Sequence, residues 1–474
     1  MKEVEIGPIP LDRLAALLSP ERAERLLTEA GAVQKVMDGR TLWCVNATAT
    51  GGGVAEMLLA LLAYAHGAGI ESRWLVLDGD PEFFSITKRI HNHLHGSLGD
   101  GGPLGPAQQA HFTEVLQRNA ELLRKYIKPG DAVLLHDPQT AGLVDTVLDA
   151  EAFAVWRCHV GRDEQDEVTD LAWDFLRPHL ERTQAFVFSR EGYAPSWVPQ
   201  DRLMLIPPSL DPFTAKNAEL SPADVDAALL RAGLVETPPD SGSLTFIRRD
   251  GSSGEVRPHQ GLIQTGGKVP VGARYVMQVS RWDRLKDMPG VLKAFTDAID
   301  AMPPDVHVLL VGPDTDGVTD DPEGAEVLAE CMELWRTLPD EVRRRSHLVC
   351  LPMDDTDENA HLVNALQRRA SVVVQKSIVE GFGLTVTEPM WKGRPVVASA
   401  VGGINDQIVH GESGLLVQDP HDLSTFAGLI ADVLSDEEYA RTLGTGARAR
   451  VRDLFLGDRH LVQWAEVLQR LKDL

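Results

Sequence analysis

The sequence predicts an α/β protein of two doubly wound domains facing a central cleft. Three observations predict it. Short apolar runs with strand character alternate with helical stretches, and each run ends in polar residues or proline. The alternation proceeds to about residue 206, breaks, and restarts at 275. The chain has 474 residues, more than one ordinary core holds.

The elements follow in order. Residues 10–36, which include LDRLAALLSPERAERLLTEAGAV at 11–33, read as an amphipathic helical preface. Residues 41–46 (TLWCVN) form the first strand and run into the loop ATATGGG. Val54, Met57, Leu58, Leu61, Leu62 and Ala65 then recur at helical spacing, and Gly67 and Gly69 stop that helix. Residues 72–77 (SRWLVL) complete a strand–loop–helix–strand unit of a parallel sheet. Residues 132–135 (AVLL) run into His136, Asp137 and Pro138; residues 153–158 (FAVWRC) run into His159; 185–188 and 203–206 follow. The linker falls near 207–212. Residues 237–272 are rich in Gly, Ser and Pro and read as loops, an insertion at the edge of the second domain. A second strand set comprises 275–279 (YVMQV), 307–311 (HVLLV), 348–351 (LVCL), 371–375 (SVVVQ) and 395–398 (PVVA). The expected domains are 1–210 and 211–457, with a C-terminal helix over 458–474 free to pack back on the first.

Composition narrows the function. The 46 Lys+Arg against 70 Asp+Glu give a net charge of -24, a field that repels polyanions, so nucleic acid is not expected as a partner. Any anionic ligand must then meet a local positive site. Cys44, Cys158, Cys331 and Cys350 form no C-x-x-C pair and read as buried thiols in a reducing compartment. No apolar signal core and no run of membrane-spanning length occurs, so a cytoplasmic protein without a membrane partner is expected.

Four constellations carry chemistry. Arg281 lies just past strand YVMQV and Lys286 five residues on. Such a pair suits a diphosphate, Arg as a fork and Lys as a point charge, or else forms a solvated loop paired with Asp283 and Asp287. After SVVVQ comes Glu380-Gly381-Phe382-Gly383-Leu384-Thr385-Val386-Thr387-Glu388. Its glycines allow close backbone approach, the helix that follows offers free N–H groups to a phosphate, and Glu380 and Glu388 could each hold hydroxyls. The alternative is a surface helix bearing two acids. Gly51, Gly52 and Gly53 lack the Lys-Ser/Thr of a P-loop and the spacing of a dinucleotide fingerprint; they bring backbone N–H groups to a ligand or make a tight turn. The strand ends His136-Asp137 and Arg157-Cys158-His159 place two polar tips in one half. On a helix His91 and His95 of the H-x-H-x-H run (His91, His93, His95) would share a face, which could suggest a metal, but carboxylates nearby are sparse and an ordinary helix or loop is expected. No G-x-S-x-G or Ser–His–Asp order supports a hydrolase.

SRWDRLKD, EGFGLTVTE and ASAVGGINDQIVHGESGLLV together resemble the large retaining GT-B glycosyltransferase family of two Rossmann-like domains. VNATATGGGVAEML, RWLVLDGDPEFFSITKRIHNHLHG, HDPQTAGL, WRCHVG and PPSLDPFTAKNAEL narrow this to the glycosyltransferring trehalose synthases, which are similar in turn to fungal-type trehalose phosphorylases. The resemblance spans about 42–417, interrupted by 237–272. It implies transfer of glucose from a nucleoside diphosphate glucose (UDP-, ADP- or GDP-glucose) to glucose, reversibly, with no further cofactor or metal. Phosphorolysis of trehalose, or another sugar acceptor, remains the alternative; a non-catalytic sugar-nucleotide sensor fits the intact motif less well. The implied catalytic residues are Arg281, Lys286, Glu380 and His159. Gly52, Gly53, Met353, Gly381, Phe382, Gly383, Leu384, Thr385 and Glu388 would bind the sugar-nucleotide donor, with backbone groups near Pro352 and Met353 at the base. His136, Asp137 and Arg157 would face the acceptor. Small sugars are the expected partners, and a homodimer is left open.

Overall fold

The computed structural model describes residues 1–49, 53–236, 242–315 and 322–470. The chain divides into two compact units, Met1–Ser209 with Phe455–Leu474, and Leu210–Leu454. Gly51 and Gly52 of the glycine-rich loop lie outside the described residues, and Gly53 opens the helix Gly53–Gly67.

The first unit is built on seven strands: β1 (Lys2–Val4), β2 (Leu42–Asn46), β3 (Ser72–Val76), β4 (Ala132–His136), β5 (Phe153–Cys158), β6 (Ala185–Phe188) and β7 (Leu203–Leu205). Their order is β1-β3-β2-β4-β5-β6-β7. All neighbours pair in parallel except β1, which lies antiparallel along β3. Both faces of the sheet are covered, which is why its strands read as continuous apolar runs. In β2, Trp43 and Val45 belong to one buried cluster while Leu42 and Cys44 belong to another. Strand β1 was not legible, because a three-residue edge strand, Lys2-Glu3-Val4, is too short to show apolar alternation.

The N-terminal helical preface is made of two helices, Leu11–Ala15 and Pro20–Val36. Ser19 caps the second, with its hydroxyl accepting from Arg22 N at 3.4 Å and Pro20 in the first turn. The C-terminal helix Gly457–Arg470 packs in this same unit. Arg22 forks onto Asp458 at 2.9 and 2.8 Å, and Arg459 Nη2 donates to the carbonyls of Pro207 and Pro208 at 2.8 and 2.9 Å.

The second unit holds a short hairpin, β8 (Thr245–Ile247) and β9 (Ser253–Glu255), and a six-stranded parallel sheet. The sheet strands are β10 (Arg274–Val279), β11 (Val306–Pro313), β12 (Ser346–Leu351), β13 (Val372–Gln375), β14 (Val396–Ser399) and β15 (Leu415–Val417), in the order β12-β11-β10-β13-β14-β15. The hairpin corrects the reading of 237–272 as loops. Phe246 is the one inward residue of β8; it stacks on His361 at 4.9 Å, and Gly251 supplies the left-handed turn at φ 83°. Residues 262–265 then run along the outer edge of β12, with Cys350 N donating to Leu262 O and Gln264 N to Leu348 O, both at 2.8 Å. No helix among the described residues is long and apolar enough to cross a membrane.

Candidate functional site

In each sheet the strand order reverses once. The second sheet turns at β10, with β11 on one side and β13 on the other, and the first turns at β2, between β3 and β4. Ligands of open α/β sheets sit beyond the carboxyl ends of the strands at that reversal. In the second unit these ends carry the loop 280–287 after β10 and the loop 376–383 after β13.

The two loops are tied together by buried polar groups. Gln278, fully buried at 0% exposure, donates from Nε2 to the carbonyl of Lys286 at 2.7 Å and accepts Lys376 N–H at 2.8 Å. Ile378 N donates to Leu285 O at 2.7 Å. Trp282 is buried with its indole N–H on Pro313 O at 2.9 Å, and Gly312 leaves room for its ring. Asp287 takes a left-handed φ of 47°, caps the helix Met288–Asp297 through Gly290 N, and pairs with the buried ammonium of Lys376.

Within that frame Lys286 Nζ stands 2.6 Å from Glu380 Oε2, which also accepts from Ser377 Oγ at 3.2 Å. The cation expected at a diphosphate and the carboxylate expected at a sugar are thus ion-paired. Arg281 is half exposed, its side chain 52% accessible, and contacts Asp283 at 3.1 Å. Gly383 turns at φ 86° and the helix Leu384–Trp391 begins after it, so Glu380 stays on the loop. Phe382 is buried; its carbonyl accepts from Gln407 Nε2, and Gly403 N reaches Gly381 O at 3.2 Å. The N–H groups of Leu384 and Thr385 lie in the first helical turn, where intrahelical partners are lacking.

Glu388 joins a different set. It is buried, accepts from Gln367 Nε2 at 3.2 Å, and lies 3.7 Å from Lys216 Nζ. One turn on, the buried Lys392 donates to Gln367 Oε1 at 2.5 Å, and burial pushes its ammonium down to about 7. Met353 is exposed after β12.

In the first unit His136 and Arg157 are cross-strand neighbours of β4 and β5, buried at 1% and 0%. Neither side chain is open to solvent; Asp137 and His159, at the strand tips, are partly exposed. Asp137 turns at φ 64° and its carboxylate accepts His159 N–H at 2.7 Å. The ring bonds fix tautomers. Arg157 Nε can only donate, and it faces His159 Nδ1 at 3.4 Å. His159 therefore carries its proton on Nε2, which meets His136 Nδ1 at 3.1 Å. His136 is left with a proton on Nε2, which has no hydrogen-bond partner among the described residues; nor has Arg157 Nη1. Burial, then the nearby guanidinium, pushes His136 down to about 3 and His159 well below the usual imidazole range. Burial pushes Asp137 up to about 7. His460, from the C-terminal helix, interacts electrostatically with this group; its Nδ1 meets Ser209 Oγ at 2.8 Å and its Nε2 accepts from Trp464 at 2.8 Å.

Gln278, Lys376, Ser377, Lys216, Gln367, Lys392 and His460 were missed in the sequence. The one available signal was Gln278 and Gln375, amides at or next to the ends of otherwise apolar strands.

His91 and His95 do share a helix flank, with ring centroids 5.0 Å apart at the end of Pro81–Leu94.

Comparison with known proteins supplies the context. A family model described as trehalose synthase, N-terminal domain, matches residues 44–195, and one described as glycosyl transferases group 1 matches residues 264–450. The chain is 30% identical to the trehalose synthase of Pyrococcus horikoshii over 99% of both chains. It is 34% identical to that of Rubrobacter xylanophilus, covering 88% of this chain and 87% of the other. The structure of an α,α-trehalose 6-phosphate synthase from Burkholderia multivorans superposes with a TM-score of 0.65 at 15% identity, covering 92% of this chain and 99% of that one. An Anabaena protein in complex with UDP and glucose superposes with a TM-score of 0.60 at 13% identity, covering 92% and 100%. At these identities the two structures show the fold, that of the GT-B glycosyltransferases.

Proposed function

The chain belongs to the trehalose synthase family of glycosyltransferases, and from that premise we propose that it moves glucose from a nucleoside diphosphate glucose to free glucose, forming α,α-trehalose with retention at the anomeric carbon. The observation that carries this reading is the meeting of Lys286 and Glu380 at the reversal of the second sheet, 2.6 Å apart beside the Gly381–Gly383 turn. A nucleoside diphosphate sugar offers that place both things it needs: a diphosphate for Lys286 and Arg281, and hydroxyls for Glu380. Glu388 holds the ribose, and the backbone near Pro352 and Met353 meets the base.

In the step proposed, the bond from the glucosyl anomeric carbon to the diphosphate oxygen breaks. A bond to the acceptor hydroxyl oxygen forms on the same face. The acceptor proton passes to the departing diphosphate. Charge grows on that diphosphate, so its stabilisation by preorganised cations and N–H groups is the main catalytic effect. Arg281, Lys286 and the first turn of Leu384–Trp391 provide it, with no metal required. Asp137 and His159 contact the sugars, while His136 and Arg157 act from behind by fixing the imidazole of His159.

A screen of UDP-, ADP- and GDP-glucose against free sugars, with products identified by NMR, tests the proposal. Trehalose from one donor and glucose supports it. Glucose release from trehalose with inorganic phosphate but with no nucleoside diphosphate replaces it with phosphorolysis.

A further inference from the structure

We propose that Arg257, with Arg248 and His259 beside it, is a positioning residue for the donor base: the arm 242–259 braces the loop that follows β12. This rests on the reading of the second unit as the donor site. The arm lies outside both ranges matched by the family models, whereas the loop it grips lies within the glycosyl transferases group 1 range.

In a chain of net charge -24, the arm reads RRDGSSGEVRPH and the loop reads PMDDTDE. The two interlock residue by residue. Arg257 donates from its backbone N to Glu358 at 2.7 Å and from Nε to the same carboxylate at 2.6 Å, and His259 Nε2 lies 2.9 Å from it. Glu358 is 0% exposed, and among the described residues the hydrogen-bond partners of its carboxylate come from the arm. Arg257 also reaches Asp354 at 2.8 Å, and Arg248 reaches Asp355 at 2.7 Å. Asp355 in turn caps the helix Thr356–Arg369 by accepting from Asp357 N and Glu358 N.

Burial decides which contacts count. The exposed pairs contribute little, being screened and mobile. The carboxylate of Glu358, 0% exposed, anchors the arm to the first turn of the helix Thr356–Arg369, and the Arg248–Asp355 pair, 28% and 17% exposed, ties the arm to the loop. The docked arm thus holds the end of the loop 352–355, where Asp354 and Asp355 meet Arg257 and Arg248. Position gives the shape its purpose. Strands of a sheet lie about 4.8 Å apart, so the end of β12 sits about 10 Å from the end of β10. That is a nucleoside's reach from a diphosphate held at the loop after β10. Asn359 Nδ2 further pins Pro352 O at 2.9 Å, fixing backbone beside the exposed Met353.

The test separates base from diphosphate. Calorimetry measures binding of inorganic diphosphate and of uridine, adenosine and guanosine diphosphates to the wild type, Arg257→Ala, Arg257→Lys and Arg248→Ala. The ratio of nucleotide to diphosphate affinity is expected to fall about 10-fold in Arg257→Ala, by the sensitivity of bound geometry to small displacements. Diphosphate affinity stays constant and Arg257→Lys restores part of the ratio. A general folding defect would lower both affinities. An unchanged ratio in folded Arg257→Ala overturns the brace. Should that variant not fold, an unchanged ratio in Arg248→Ala overturns it equally. A wild type that binds no nucleotide better than diphosphate overturns the donor reading instead.

Discussion

Lys286 Nζ and Glu380 Oε2 lie 2.6 Å apart, so the cation expected at the diphosphate is neutralised by the carboxylate expected at the sugar. A diphosphate must draw Lys286 away or share it. Replacing Glu380 by Gln removes the competitor and keeps the shape. Glu380→Gln should therefore bind bare nucleoside diphosphate several-fold tighter, about 3- to 10-fold, because an opposite charge close to an ammonium competes with its ligand. It should at the same time lose turnover with the sugar-bearing donor. Equal or weaker nucleotide binding in titration calorimetry would reject the competition.

Removal of either cation should act in the opposite sense. Lys286→Ala and Arg281→Ala are each expected to lower turnover about a hundred-fold or more, the usual effect of deleting one preorganised group facing developing negative charge. Near-normal turnover in both, in steady-state assays, would sink the diphosphate assignment. Treatment with EDTA should leave the rate of the wild type unchanged.

Gln278 joins the loops after β10 and β13 through one buried amide. Gln278→Leu keeps the volume but strands the Lys286 carbonyl and the Lys376 N–H. Each buried orphan costs about 1–3 kcal/mol. Urea unfolding should show a loss of at least about 1 kcal/mol, and turnover should fall with it because Lys286 sits on the freed loop. A variant as stable and as active as the wild type would show that the loops are held by other bonds.

The parts of this architecture that were legible are those written in local periodicity. Strands such as 132–135 and 372–375 are continuous apolar runs because both sheet faces are covered, and their polar termini mark the ligand edge. Lys286 and Glu380 were legible as residues, each following a strand. Their pairing was not, since it depends on β10 and β13 being neighbours across 94 positions of sequence. Lys216 and Gln367 escaped for the same reason: both meet Glu388 only through tertiary packing. The burial of His136 and Arg157 escaped because a polar strand end looks the same whether it faces solvent or the C-terminal helix.

Acid should weaken the first unit through that buried group. Burial pushes His136 down to about 3, and His159 and His460 well below the usual imidazole range. A base whose folded pKa is depressed contributes stability that is complete above the ordinary value of about 6.5 and is lost as pH falls toward the folded value. Asp137 works in the other direction. Raised by burial to about 7, it contributes stability that is complete below the ordinary carboxylate range and is lost as pH rises through about 7. Three imidazoles outweigh one carboxyl, so unfolding near pH 5.5 should take up protons at this group. His460→Gln should reduce that uptake by about one proton, read by calorimetry in buffers of different ionisation enthalpy. An unchanged uptake would mean that His460 is already protonated in the folded unit.

Glu388 offers the last test, because its surroundings separate binding from chemistry. Its carboxylate lies between Gln367 and Lys216 and apart from the Lys286–Glu380 pair. If it holds ribose hydroxyls, its contribution is the same in ground and transition states, and Glu388→Ala should raise the KM for the donor about 10-fold or more with little change in kcat. The KM for the acceptor should not move. Gln367→Leu should reproduce a weaker version, since it removes the group that orients the carboxylate while leaving its charge. A fall in kcat at constant donor KM in Glu388→Ala would instead place this carboxylate at the reacting sugar, and the ribose assignment would have to be abandoned.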